Sequence, residues 1–172
     1  QARTRNIGVI PGDVALSYGL SGANLRASGV DWDIRRDANV GLVYDQVDWK
    51  VWTHPDGDSF ARFWVRLQET REACNIIDQL LGSIPSGPIM AKVPRIIKVP
   101  AGEAYVATEN PLGEMGYYVV SKGDLTPFRV KIRSASFSNM SITPWVLKDV
   151  FVPDIISICL LYTSPSPRDN RV

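Results

Sequence analysis

The sequence predicts an α+β fold: one long helix followed by a three-stranded antiparallel meander. Three observations carry this. From Ser59 to Leu81 the apolar residues Phe60, Phe63, Trp64, Leu67, Cys74, Ile77 and Leu81 recur at helical spacing. Three strand candidates follow, Glu103–Thr108, Tyr117–Ser121 and Pro127–Arg133, and their short connections favour antiparallel pairing. Between helix and strands, Ile84–Pro100 carries Pro85, Pro88, Pro94 and Pro100 and reads as an extended connector.

The elements follow in order. Pro11-Gly12-Asp13 is a turn, with Asp13 placed to cap a short helix through Val14–Tyr18 that Gly19 and Gly22 interrupt. Leu25 to Asp37 is charged and aromatic without clear periodicity, and reads as an irregular packed loop. Tyr44–Trp52 alternates and reads as a strand. Asp58 or Ser59 can accept from the free N–H groups that open the long helix, and Gly82 stands where a C′ glycine would. At 1.5 Å per residue that helix is about 35 Å long, which suits a member of a larger bundle. In the last strand, Phe128, Val130 and Ile132 alternate with Arg129, Lys131 and Arg133. Pro144–Lys148 and Asp154–Ile158 read as helix starts.

Composition narrows the function classes. The 172 residues suffice for one domain. Nineteen Lys and Arg face 18 Asp and Glu, a net charge of +1, without the basic excess of a nucleic-acid-binding domain. Two cysteines, Cys74 and Cys159, cannot make a disulfide framework or a four-cysteine zinc site. A single histidine, His54, excludes a site needing two imidazoles.

The two ends read as non-native boundaries. Gln1-Ala2-Arg3-Thr4-Arg5 runs directly into Ile7-Gly8-Val9-Ile10, which reads as an entry in mid-gene. Cys159 to Asp169 back-translates to a string resembling a transposase-type sequencing adapter over eleven consecutive residues. A Ser/Pro-rich disordered tail is the other reading of that stretch. Residues 1–158 are therefore expected to be the native portion and 159–172 a non-native tail. Removing that tail sheds Arg168, Arg171 and Asp169 and leaves 17 basic against 17 acidic residues.

Several strings in order resemble one family. They are Leu25-Arg26-Ala27-Ser28-Gly29-Val30-Asp31-Trp32-Asp33-Ile34-Arg35, Tyr44-Asp45-Gln46-Val47-Asp48 and Ile76-Ile77-Asp78-Gln79. Glu109-Asn110-Pro111-Leu112-Gly113-Glu114-Met115-Gly116-Tyr117-Tyr118 and Phe128 to Phe137 follow, and Val152-Pro153-Asp154-Ile155-Ile156-Ser157-Ile158 closes the series. Together they resemble the 49 kDa-type family of NADH:quinone oxidoreductase, respiratory complex I, over residues 3–158, as the C-terminal half of that quinone-site polypeptide. The resemblance implies a fold similar to the large subunit of nickel–iron hydrogenases, without the metal.

The resemblance also implies the function. With an adjacent iron–sulfur subunit, the family encloses the quinone headgroup and couples its reduction to proton translocation. This chain is then expected to bind no cofactor itself. Quinone is the substrate, and the [4Fe-4S] cluster that reduces it sits in the neighbouring subunit. The implied partners are the other complex I subunits, chiefly the iron–sulfur subunit and the 30 kDa-type subunit. The implied location is the peripheral arm at the cytoplasmic face of a bacterial plasma membrane, since the short connector Ile89–Pro100 looks bacterial. The fragment alone is expected to be inactive. The family's headgroup His and Tyr belong to its N-terminal half, and its terminal Gly-Ser-x-Asp and Gly-x-x-Asp-Arg should begin where this chain departs, at Cys159. Leu112 replaces the Arg or Lys common at that position, which puts in doubt a salt bridge to Glu109 or Glu114.

The candidate site residues are Arg26, Asp31, Asp33, Arg35, Glu109 and Glu114. The first four are a charged lining of the quinone cavity or of the iron–sulfur interface, or else an internal salt-bridge cluster that holds the loop. Glu109 and Glu114 flank a turn, where paired carboxylates can relay a proton if burial raises one pKa, or where both are simply solvated. Tyr44, Tyr117 and Tyr118 are phenol donors or strand packing residues. Cys74 is expected to be a buried, inert thiol, and the basic face of the last strand a solvated one. Two other functions compete. A membrane-bound nickel–iron hydrogenase large subunit would need two Cys-x-x-Cys pairs, and a non-catalytic scaffold would need none.

Overall fold

The computed structural model describes residues 4–38 and 42–162. It is α+β, as the sequence predicts. Three short helices, α1 (Gly12–Ser17), α2 (Ala23–Arg26) and α3 (Ile34–Asp37), precede a single 3-10 turn at Val43–Gln46. The long helix α4 spans Ser59–Leu81. Strands β1 (Gly102–Asn110), β2 (Gly113–Ser121) and β3 (Arg129–Arg133) form one antiparallel sheet in that order. Helices α5 (Ala135–Met140), α6 (Thr143–Val146) and α7 (Val152–Tyr162) follow. The supposed tail boundary at Ile158 falls inside α7, and residues 163–172 lie outside the described residues.

α4 starts as expected. Asp58 accepts from the Ala61 N–H at 2.7 Å and from the Asn6 N–H at 2.8 Å. It ends differently: Gly82 has φ −75°, so the helix closes through a right-handed residue without using the glycine's freedom. The buried stripe also differs from the apolar one. Ser59, Ala61, Arg62, Val65 and Ile76 are buried, whereas Phe63 (50%), Ile77 (55%) and Leu81 (61%) are exposed. Cys74 is exposed too, which corrects the expectation of a buried thiol. The reason is packing: α2 and α7 both lie against α4, and they select a face with small and polar residues that lets the backbones approach.

Two further segments depart from expectation. Tyr44–Trp52 is no strand. Side chains satisfy its backbone instead, with the Trp49 Nε1–H donating to the Tyr44 carbonyl (3.0 Å) and Gln79 Nε2 donating to the Asp48 carbonyl (2.6 Å). The 25–37 stretch holds helical turns rather than an irregular loop. Asp33 caps α3 by accepting from the Arg35 N–H at 3.0 Å.

The main core gathers Ile10, Ala15, Leu20, Leu25, Ile142, Val146 and Ile158, so the helices at both ends of the chain close one cluster. A second cluster, Ala27, Ala61 and Val65, seals α2 onto α4. In the sheet, Val106 pairs with Tyr117 and Tyr117 with Ile132, placing these on one face with Ala104, Val119 and Val130. That apolar face is open, with Val106 62% and Ile132 55% exposed.

Candidate functional site

α2 and α3 carry Arg26 and Asp33 to one point beside α4. Both are buried, at 5% and 1% exposure. The Asp33 carboxylate takes Arg26 Nη1 at 2.9 Å and Arg35 Nη2 at 2.8 Å on one oxygen, and the Arg35 Nε and N–H on the other, both at 3.0 Å. Arg26 turns its remaining donors to Glu69 on α4: Nε donates to Oε1 at 2.7 Å, and Nη2 donates to the same oxygen. The Arg26 carbonyl accepts the His54 N–H at 3.0 Å. Burial acts to raise the pKa of Asp33. The Arg35 hydrogen bonds and the charges of Arg26 and Arg35 outweigh it, so the carboxyl titrates below its usual range.

Arg35 lies over the Trp49 ring at 4.7 Å and over the Tyr44 ring at 5.6 Å. The Tyr44 hydroxyl donates to Glu109 at the end of β1, with the two carboxylate oxygens at 2.7 and 2.6 Å. Burial, then the Glu109 carboxylate, push the Tyr44 pKa up to about 12, so the phenol keeps its proton. A cleft of about 380 Å³ runs between these groups, lined by Arg26, Asp33, Arg35, Glu69 and Glu109 with the apolar Trp32, Ile34 and Pro111. Chemically it offers three apolar side chains, the paired cations Arg26 and Arg35, and a carboxylate whose hydrogen-bond donor is a tyrosine.

Four of the six expected site residues therefore meet. Asp31 points elsewhere, pairing at 2.9 Å with Arg36 on the surface. Glu114 pairs with Arg133 at 3.3 Å and is not among the cleft-lining residues. Glu109 and Glu114 are register partners, and each has its own partner, Tyr44 and Arg133. Leu112 has no charge to offer, and the two acids find Tyr44 and Arg133 instead. Tyr117 and Tyr118 sit on opposite sheet faces, outside the cleft lining. Sequence reasoning missed Glu69 and Trp49. Glu69 had a signal: Arg62, Val65, Glu69 and Ile76 recur every three to seven residues along one helical stripe, with charge where a core face is normally apolar.

No helix among the described residues is long and apolar enough to cross a membrane. Among the same residues no group of three or more His, Cys, Asp or Glu is placed to hold a metal ion.

Comparison with known proteins gives a consistent result. The family described as respiratory-chain NADH dehydrogenase, 49 Kd subunit, matches residues 1–98 and 93–161. The NADH-quinone oxidoreductase D subunit of Clostridium beijerinckii is 45% identical over 158 residues, covering 92% of this chain and 42% of that protein. The same-named protein of Methylacidiphilum infernorum is 41% identical over 181 residues, covering 91% and 43%. The chain thus spans less than half the length of these curated relatives. A chain of the membrane-bound sulfane sulfur reductase, an archaeal respiratory membrane complex, superposes with a TM-score of 0.86 at 35% identity, covering 98% of this chain and 46% of that one.

Proposed function

The chain belongs to the 49 kDa-subunit family of the respiratory-chain NADH dehydrogenase, and on that premise we propose that it is part of the quinone-site subunit of a NADH:quinone oxidoreductase. The observation that carries this is the family match across nearly the whole chain. The charged cleft with its Tyr44–Glu109 pair supports it. In this reading the fold is a portion of a nickel–iron-hydrogenase-like large subunit. The cleft is a wall segment of the quinone cavity, next to the iron–sulfur subunit whose [4Fe-4S] cluster supplies the electrons. The 30 kDa-type subunit is a second neighbour. The assembly is peripheral, at the cytoplasmic face of a bacterial plasma membrane, and the chain alone turns nothing over.

Each residue then has a task. Asp33 fixes Arg26 and Arg35 in one geometry. Glu69 anchors that cluster to α4. Glu109 holds the phenolic proton of Tyr44 at the cleft. Glu109→Gln and Tyr44→Phe in the assembled complex test this. NADH-driven quinone reduction should fall at least ~10-fold. Electron delivery to a soluble acceptor upstream of the quinone should be unchanged. Equal loss of both activities would overturn the reading.

The archaeal neighbour favours one alternative. It is a sulfane sulfur reductase, so the same fold in another respiratory complex is the second reading. Purified complex that reduces polysulfide but no quinone would establish it.

A further inference from the structure

The turn between β1 and β2 is not free. It presses on the loop between α1 and α2: a side chain at Gly22 would stand 2.6 Å from the Leu112 carbonyl, and one at Gly113 would overlap Ser21 Oγ. A buried polar node fastens this contact. Asn139 of α5, 2% exposed, accepts the Ser21 N–H through Oδ1 at 3.1 Å and donates from Nδ2 to the Leu112 carbonyl at 3.1 Å. The Glu114 N–H donates to Ser21 Oγ at 3.1 Å. Arg133 donates to the carbonyls of Glu114 (2.8 Å) and Gly19 (2.9 Å).

Two segments far apart in sequence therefore converge on one asparagine of α5, and both ends of its amide are used in the only orientation that satisfies both neighbours. The residue carried on the near end of this turn is Glu109. We propose that Asn139 is a positioning residue, a latch that holds the β1–β2 turn against the 19–22 loop and so sets Glu109 against Tyr44 at the cleft. This rests on the cleft being a wall of the quinone cavity. The reasoning is geometric. β1 packs against α3 and reaches Tyr44 through Glu109, but the apolar face of the sheet is open and the far end of the hairpin is exposed, so the sheet gives the turn no further constraint along the cleft. The latch supplies that constraint from α5, and a displacement of order 1 Å at a reacting group costs on the order of 10²-fold in rate.

Asn139→Asp in the full assembled complex tests it, because it keeps the shape and inverts one hydrogen bond. The retained oxygen still accepts from Ser21. The other now faces the Leu112 carbonyl, acceptor against acceptor. A buried carboxyl of this kind has a raised pKa, and its protonated form regenerates the donor. The charged groups tied to the node are Glu114 and Arg133, which pair with each other at 3.3 Å. With a short-chain quinone as substrate, the variant should lose roughly 10-fold or more in turnover at pH 8 and recover to within about twofold of wild type near pH 5.5. The amides of Asn110, Leu112, Gly113 and Glu114 should exchange faster at pH 8 only. Asn139→Leu, with no proton to regain, should lose turnover at both pH values.

Loss at both pH values in Asn139→Asp, or normal turnover at pH 8, overturns the latch. Glu109→Gln run alongside separates the two claims. If it alters quinone kinetics and Asn139→Asp does not, the latch fails and the cleft reading stands. If Glu109→Gln has no effect, the cleft reading itself fails.

Discussion

The Tyr44 hydroxyl donates to the Glu109 carboxylate, joining the 3-10 turn at Val43–Gln46 to the end of β1 across 65 residues of sequence. It joins the Arg35 and Trp49 contacts on Tyr44 and the Asn139 contact behind the β1–β2 turn. The pair is one of the ties on this side of the cleft, and it has a measurable signature.

Tyr44 is protonated well past the ordinary phenol range, near 10. A difference titration between wild type and Tyr44→Phe, read by tyrosinate absorbance, should show one phenol ionising near pH 12. Its stabilisation is complete below about pH 10 and is lost as the pH rises through that native value. A step near pH 10 would contradict the burial of Tyr44 together with its Glu109 contact.

Asp33 works in the opposite direction. Its native pKa is lowered, so its contribution is full above about pH 4 and disappears as the pH falls through the native value. Asp33→Ala should cost about 3–5 kcal/mol at pH 7, because it leaves Arg26 buried with half its partners. Urea unfolding at pH 7 and pH 3 should show that gap narrowing in acid. A gap that persists unchanged at pH 3 contradicts the ion-pair account.

Gly57 has φ +66°, and a side chain there would overlap the Ile10 carbonyl oxygen. Its own N–H donates to the Ala27 carbonyl at 2.9 Å, and the Ile10 N–H donates to its carbonyl at 3.0 Å. Gly57→Ala should therefore destabilise by more than about 2 kcal/mol, through both the backbone and the clash. A thermal midpoint equal to wild type would refute this.

The open sheet face gives a solubility prediction. Val106, Val130 and Ile132 lie together on it, all exposed. The isolated chain should self-associate, and Val106→Lys with Ile132→Lys should suppress that with no change in circular dichroism. Light scattering indifferent to the substitutions would contradict it.

The legible parts of the fold were those governed by local chemistry. α4 follows from its spacing and the Asp58 cap, and the meander follows from alternation and the turns at Pro111 and Gly123. Tyr44–Trp52 misled because alternation records side-chain chemistry, and here side chains from α4 meet the backbone that a neighbouring strand would have met. The α4 stripe misled for a related reason: its buried face is chosen by α2 and α7, and carries Arg62 and Glu69. Arg26, Asp33 and Arg35 were legible as a charged cluster. Arg26's contact with Glu69, and Glu109's with Tyr44, depend on chain separations of 43 and 65 residues that no local pattern encodes.

The cleft's role is tested most directly by a photoreactive quinone analogue in the assembled complex. Covalent label is expected in peptides spanning residues 26–37 or 102–114, competed away by excess quinone and reduced in Glu109→Gln. Label confined to other segments of the polypeptide, with these peptides unmodified, would contradict a quinone-facing cleft.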